Sequence, residues 1–175
     1  MRPARIVTVG HSNRTLRQFI DLLRDHRVEL VADVRKLRGS RAMPQFDERG
    51  LSRALSRAGI RYLPVAELAG RRPRSAQPSP RPCWRNAGFR NYADHMRTEE
   101  FRAGVRCLLA EARHLRTAVM CAEAVPWRCH RSLIADYLVV EKRRRVDELV
   151  GDRARPHRLT ACARIGRGKL TYDLP

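Results

Sequence analysis

The chain reads as a single α/β domain built on a mostly parallel sheet, and three observations predict it. Residues 5–9, "RIVTV", and 29–34, "ELVADV", are short continuous apolar runs of the kind that parallel strands buried on both faces require. Between them Leu16, Phe19, Ile20 and Leu23 recur at helical spacing. Strand, helix and strand in about 30 residues form a βαβ unit, whose strands are parallel and whose crossover is right-handed. The length of 175 residues suits one domain with a sizeable core.

Each further element follows from local chemistry. Asn13 or Thr15 supplies the N-cap of the first helix. Residues 36–46 are irregular, broken by Gly39 and Pro44, and Asp47 then caps a helix with Leu51, Ala54, Leu55 and Ala58 on one face and Gly59 as its stop. The run 60–65, "IRYLPV", is short and carries a proline, which fits an edge strand. Residues 71–91 are rich in Pro and Arg with no apolar period, and read as a long mobile excursion. Thr98 with Glu99 and Glu100 opens a helix whose face is Phe101, Val105, Leu108, Leu109 and Ala112. A strand at 117–122, a helix at 130–145 and a last strand at 146–151 complete the chain.

No apolar run approaches the roughly 20 residues that cross a bilayer, so no membrane partner is expected. The start has no long apolar segment followed by a small-residue cleavage site, which predicts a cytoplasmic protein. Five cysteines at irregular spacings without a C-x-x-C pair are not a disulfide framework. The formal charge of +19 points to nucleic acid or a nucleotide as partner, since a basic surface attracts phosphate. Genome composition competes as its cause, because all but Lys36, Lys142 and Lys169 of the basic residues are arginine.

The chemistry concentrates in "MCAEAVPWRCHR", residues 120–131. Cys121 and Glu123 leave the strand two residues apart and on the same side. Pro126 and Trp127 make a turn, and Cys129, His130 and Arg131 open the next helix, whose N-terminus favours anions and thiolates. In an open parallel sheet the carboxyl ends of the strands line a common crevice. That brings His11 and Ser12, Asp33 and Arg35, and Cys121 and Glu123 together. Glu123 and His130, with His11 and Asp33, are the acid–base candidates, Cys121 the nucleophile, and Arg35, Arg128, Arg131 and Ser12 the phosphate holders. Cys121, Cys129 and His130 also form a ligand set suited to zinc or iron. The competing readings stay open: a core cysteine at Cys121, an arginine paired with Glu123, and a buried network of His11, Ser12, Asp33 and Arg35 that only holds loops.

The segments "TVGHSN" (8–13), "DVR" (33–35), "PQF" (44–46), "YADHM" (92–96), "MCAEAVPWRCHR" and "PHRLT" (156–160) together resemble the domain of unknown function 488 family. The resemblance implies a small α/β bacterial protein and no established reaction. Asn91 stands where glycine is expected, and His95 where an aromatic is usual. The leading expectation is an enzyme acting on a nucleotide or nucleic acid at the carboxyl edge of the sheet. The alternatives are a non-catalytic nucleic-acid-binding protein that uses its arginine surface, and a Cys/His metal-binding protein.

Overall fold

A computed structural model describes residues 6–39 and 41–174; Arg5 and Ser40, which the sequence reading places in the first strand and the loop after the second, lie outside them. Five strands run parallel: β1 (Ile6–Gly10), β2 (Leu30–Asp33), β3 (Arg61–Pro64), β4 (Thr117–Cys121) and β5 (Val146–Val150). A sixth, β6 (Arg153–Pro156), pairs antiparallel with β5, and the order is β3-β2-β4-β1-β5-β6. Side chains alternate between the two faces with the period of a strand. Val7, Val9, Val31, Ala118 and Met120 meet α1 (Leu16–Asp25) and α2 (Glu48–Arg57) on one face. Ile6, Leu30, Ala32 and Val119 meet α4 (Glu99–Ala112) and α5 (Arg131–Val140) on the other. The α/β architecture expected from the sequence is the one observed.

The caps explain where the helices start. Of the two candidates for α1 the structure selects Thr15, whose hydroxyl accepts from Gln18 N while the Gln18 side chain accepts from Thr15 N, a closed capping box. Asp47 caps α2 and Thr98 caps α4, as expected. Helix α5 is shorter than the expected 130–145, because the basic residues after Val140 lie beyond its last turn.

The arginine-rich stretch differs from expectation in two respects. Helix α3 (Ala87–His95), capped by Asn86, takes its last five residues. The remainder is pinned to the C-terminal end of the chain instead of moving free. Cys83 is joined to Cys162 by a disulfide, Cys83 N donates to Tyr172 O at 2.9 Å, Leu174 N donates to Arg81 O at 2.7 Å, and the Ser79 hydroxyl bonds Asp173. One bridge is not a framework, yet it pairs two cysteines to which the sequence reading gives no role. The expected last strand, β5, is followed by three more: β6 and the hairpin of β7 (Arg164–Gly166) and β8 (Lys169–Thr171), turned through Arg167 and Gly168 at φ 50° and 75°.

A buried polar cluster ties this C-terminal region to α5. Asp136, fully buried, accepts from Thr160 Oγ1 at 2.6 Å, from the Tyr172 hydroxyl at 2.8 Å and from His157 Nε2 at 2.7 Å. His157 Nδ1 bonds Glu148 at 2.7 Å. Burial works against the charged imidazole, but the carboxylates of Asp136 and Glu148 outweigh it and raise His157 to about 9. A raised pKa contributes stability that is complete below the ordinary histidine value and is lost as pH climbs through about 9. Urea unfolding followed between pH 6 and 10 should therefore show a decline that runs from about 6.5 to about 9 and levels off above it, and His157→Gln should lower stability at pH 6 and flatten the decline.

Candidate functional site

The site's position follows from the connections between strands. β1 and β4 are neighbours, and the helices that follow them, α1 and α5, pack on opposite faces of the sheet. Between two such strands the chain diverges and leaves a crevice at their carboxyl ends. Gly10 pairs with Cys121 and Asp33 with Met120, so the three segments singled out in the sequence reach the same edge. Pairing continues past the strands: His11 N donates to Cys121 O and Ser12 N to Ala122 O, both at 2.9 Å. The loop after β4 lies so close on Gly10 that a Cβ there would sit 1.8 Å from Glu123 O, which only glycine permits.

Cys121, half-buried at the end of β4, Cys129, buried just before α5, and His130 at its N-cap present ligand atoms that all lie within 4.8 Å of one another. The imidazole's protonation can be read from its contacts. Nε2 lies 3.1 Å from Val34 O, and a carbonyl only accepts, so Nε2 carries the proton. Nδ1 of the neutral ring is then the lone-pair nitrogen, and it faces Cys129 Sγ at 3.7 Å. Cys129's thiol donating to Cys121 holds Cys121 well below the ordinary thiol range, and burial opposes this. Cys129 is pushed up by that same bond and by its burial.

Glu123 lines the crevice, and among the described residues no cation pairs with its carboxylate; Oε1 accepts only from Val125 N at 3.4 Å. Arg131 is fully buried and turned to the backbone, donating to Glu123 O at 2.5 Å and Ala124 O at 3.0 Å. It stands behind the loop, not in the crevice lining. Asp33, Arg35 and His11 form one buried network. Arg35 grips Asp33 with Nε and Nη2 at 2.9 and 2.6 Å and donates through Nη1 to Phe46 O, while the Tyr62 hydroxyl donates to Asp33 at 2.7 Å. His11 Nδ1 donates to Ser12 O at 2.9 Å, which turns its unprotonated Nε2 to Arg35 at 3.4 Å. Burial, ahead of all else, lowers the His11 pKa. Of this network Arg35 alone reaches the crevice lining, with its charge already matched by Asp33.

The crevice itself is a cavity of about 610 Å³. Of the residues that the strand-end argument brings together, Ser12, Arg35, Cys121 and Glu123 line it and His11 and Asp33 do not; Arg128, Cys129 and His130, from the turn before α5, line it too. Three further contributions lie outside the candidate site residues: Gly70 and Arg71 from the loop after β3, Lys36 and Leu37 from the loop after β2, and Phe89 and Tyr92 from α3. The loops have no period to read, and α3 is hidden by the prolines and arginines before it. Lys36, Arg71 and Arg128 are exposed at the rim, and among the described residues no hydrogen bond or ion pair engages their side chains. Ser12 and Arg71 hold positive φ, 53° and 55°, a backbone cost at two lining positions. Of the two departures noted in the sequence, His95 is buried with Nε2 on Glu67 O at 2.7 Å, and Asn91 donates to Arg72 O at 3.1 Å. Both brace α3.

Gly70 is the tightest of these contacts. A Cβ there would fall 2.6 Å from His130 Nδ1, so any side chain displaces the imidazole. Gly70→Ala should cost about 1–3 kcal/mol by overpacking. The His130 ring resonances should move, and those of exposed His114 should not; unchanged His130 signals would show that the ring is not held against Gly70.

A search of characterised proteins and of solved structures finds no match to the chain. A family model, the domain of unknown function DUF488, matches residues 15–138. The matched span holds Asp33 and Arg35 and the whole Cys121 to Arg131 segment, while "TVGHSN" lies before it and "PHRLT" after it. The match covers more than half of the sequence, and the chain belongs to the DUF488 family.

Proposed function

We propose that the protein is an enzyme acting on a phosphate-bearing substrate, a nucleotide or nucleic acid, at the carboxyl edge of its sheet, around a divalent metal held by Cys121, Cys129 and His130. The observation that carries the reading is the orientation of His130. Its Nε2–H is committed to the Val34 carbonyl and its Nδ1 lone pair faces the cysteine sulfurs. That is the usual state of a ligating histidine, whose second nitrogen donates to a carbonyl or carboxylate. Two thiolates and an imidazole suit zinc or ferrous iron, and three protein ligands beside a cavity leave a coordination position for substrate or water. Such an ion supplies Lewis acidity to a bound oxygen.

The chain's own groups support the remaining roles. Glu123, unpaired and on the cavity wall, is placed to accept a proton from water or a substrate hydroxyl. Lys36, Arg71 and Arg128 at the rim offer the charge that a phosphate needs, whereas Arg35 and Arg131 are already engaged. A second reading is favoured by the lowered pKa of Cys121: without a metal, the same sulfur is a thiolate nucleophile with Cys129 as its donor.

Metal analysis of protein purified without an affinity tag, and of chelated protein reloaded with zinc or ferrous iron, should give about one ion per chain. Cys129→Ser and His130→Ala should each lose it, and Glu123→Gln should keep it while turnover falls about a hundredfold or more. A chain that holds no ion after reloading rules out the metal centre. If the chelated protein then alkylates at Cys121 with iodoacetamide below pH 6, mapped by mass spectrometry against Cys107, the thiolate reading takes its place.

A further inference from the structure

We infer that this edge of the sheet accepts single-stranded nucleic acid, with one unstacked base seated on Trp127 and the phosphate chain crossing the cations beside it. The inference rests on the reading of the cavity as the substrate site, and it narrows the substrate to a polymer with free bases.

Trp127 carries the argument. It lies in the short 3-10 turn Pro126–Arg128, between the sulfur ligands Cys121 and Cys129, and is 58% exposed. A tryptophan that merely packed its own turn would be covered, and here the covered member of the turn is Pro126. The turn is closed by Cys129 N donating to Pro126 O at 2.9 Å, so the indole is presented from a fixed base. The Arg155 guanidinium sits 5.5 Å from the ring centroid, and Arg155 is itself held by Glu148 at 3.4 Å. One face of the ring is thus backed by a braced cation. The exposed remainder is a platform of the kind on which bases stack.

What lies around the platform selects the occupant. Arg128, next in sequence, stands at the cavity rim with Lys36 and Arg71. Where β6 begins, Arg153 pairs with Val150 at the carboxyl end of β5; it is exposed, and among the described residues its side chain has no partner. Arg153 and Arg155 stand outside the cavity lining, so basic charge continues beyond the pocket that a mononucleotide would fill. Leu37, 62% exposed, adds a second apolar contact on the cavity lining. A duplex keeps its bases stacked inside and cannot offer one to a lone indole. An acidic peptide would satisfy the cations and leave the ring in water.

The test titrates the protein with short mixed-sequence single-stranded DNA and RNA oligonucleotides, read by tryptophan emission and by anisotropy of a labelled strand. Emission should be quenched, and Trp127→Phe should abolish that change while retaining most of the affinity. Trp127→Ala should weaken binding about tenfold. Lys36→Ala and Arg128→Ala should each reduce the slope of log affinity against log salt by somewhat less than one. The tryptophan is exposed, so loss of fold does not cloud the result. The inference is overturned by any of three results: no binding, binding unchanged in Trp127→Ala, or a blunt duplex or a polyglutamate peptide binding as tightly as the single strand. Running the titration with and without chelator, with metal content measured on the same samples, separates the two readings. Quenching in a chain that holds no metal sinks the metal centre alone, and a metal-bearing chain without quenching sinks this inference alone.

Discussion

The placement of Cys121, Glu123, Cys129 and His130 depends on the contact between Gly10 and the loop that leaves β4. The loop's carbonyl at Glu123 occupies the space where any other residue would carry its Cβ, so the loop is pressed onto the end of β1. Arg131 fastens it from behind by taking the Glu123 and Ala124 carbonyls, and with them backbone groups that would otherwise be orphaned where the chain turns away from the sheet. Cys121, Glu123, Cys129 and His130 are consequences of that geometry. The first two leave the loop toward the crevice, and the last two are set by the turn that brings the chain back to α5. Substitution at Gly10 or Arg131 would therefore disturb the whole group, although neither side chain takes part in any chemistry.

Charge is divided among the arginines in a way that composition conceals. Arg35 is spent on Asp33 and Phe46 O, and Arg72 on Glu100 and the carbonyls of Ala66, Glu67 and Ala69. Arg97, Arg102 and Arg106 pair with acids on α3 and α4. The surplus that remains at the crevice is small: Lys36, Arg71 and Arg128. Mutual proximity of these three to a cavity, and not the overall charge of +19, is what gives the anion argument its weight.

What could be read from the sequence was what is encoded locally. The apolar runs of β1, β2 and β4, the helical spacing in α1, α2 and α4, and the caps Thr15, Asp47 and Thr98 are each written within a few residues. The strand-end rule then places Cys121, Glu123, Ser12 and Arg35 at one crevice without further information. Strand β6, "RARP", escaped because it is exposed on an edge and has no apolar alternation. The Cys83–Cys162 bridge and the packing of residues 71–86 depend on where the C-terminal hairpin lies, which no local pattern states. The side-chain direction of Arg131 was equally illegible. An arginine in the first turn of a helix suggests an anion in front of it, and here the guanidinium turns back to carbonyls.

That buried guanidinium bears on Cys129, two residues before it. Arg131 has no carboxylate partner among the described residues, and its Nε has no hydrogen-bond partner at all. An uncompensated buried charge costs on the order of several kcal/mol, which neighbouring negative charge reduces. Cys129 feels this field, which favours its thiolate, but its bond to Cys121 and its burial oppose ionisation more strongly. One thiolate therefore satisfies the site without a cation, held on Cys121 with Cys129 as donor. Two thiolates require a positive ion between them to offset their repulsion. On the proposed reading a divalent cation would make Cys129 a ligand beside Cys121, and without one Cys129 would remain the proton donor to it.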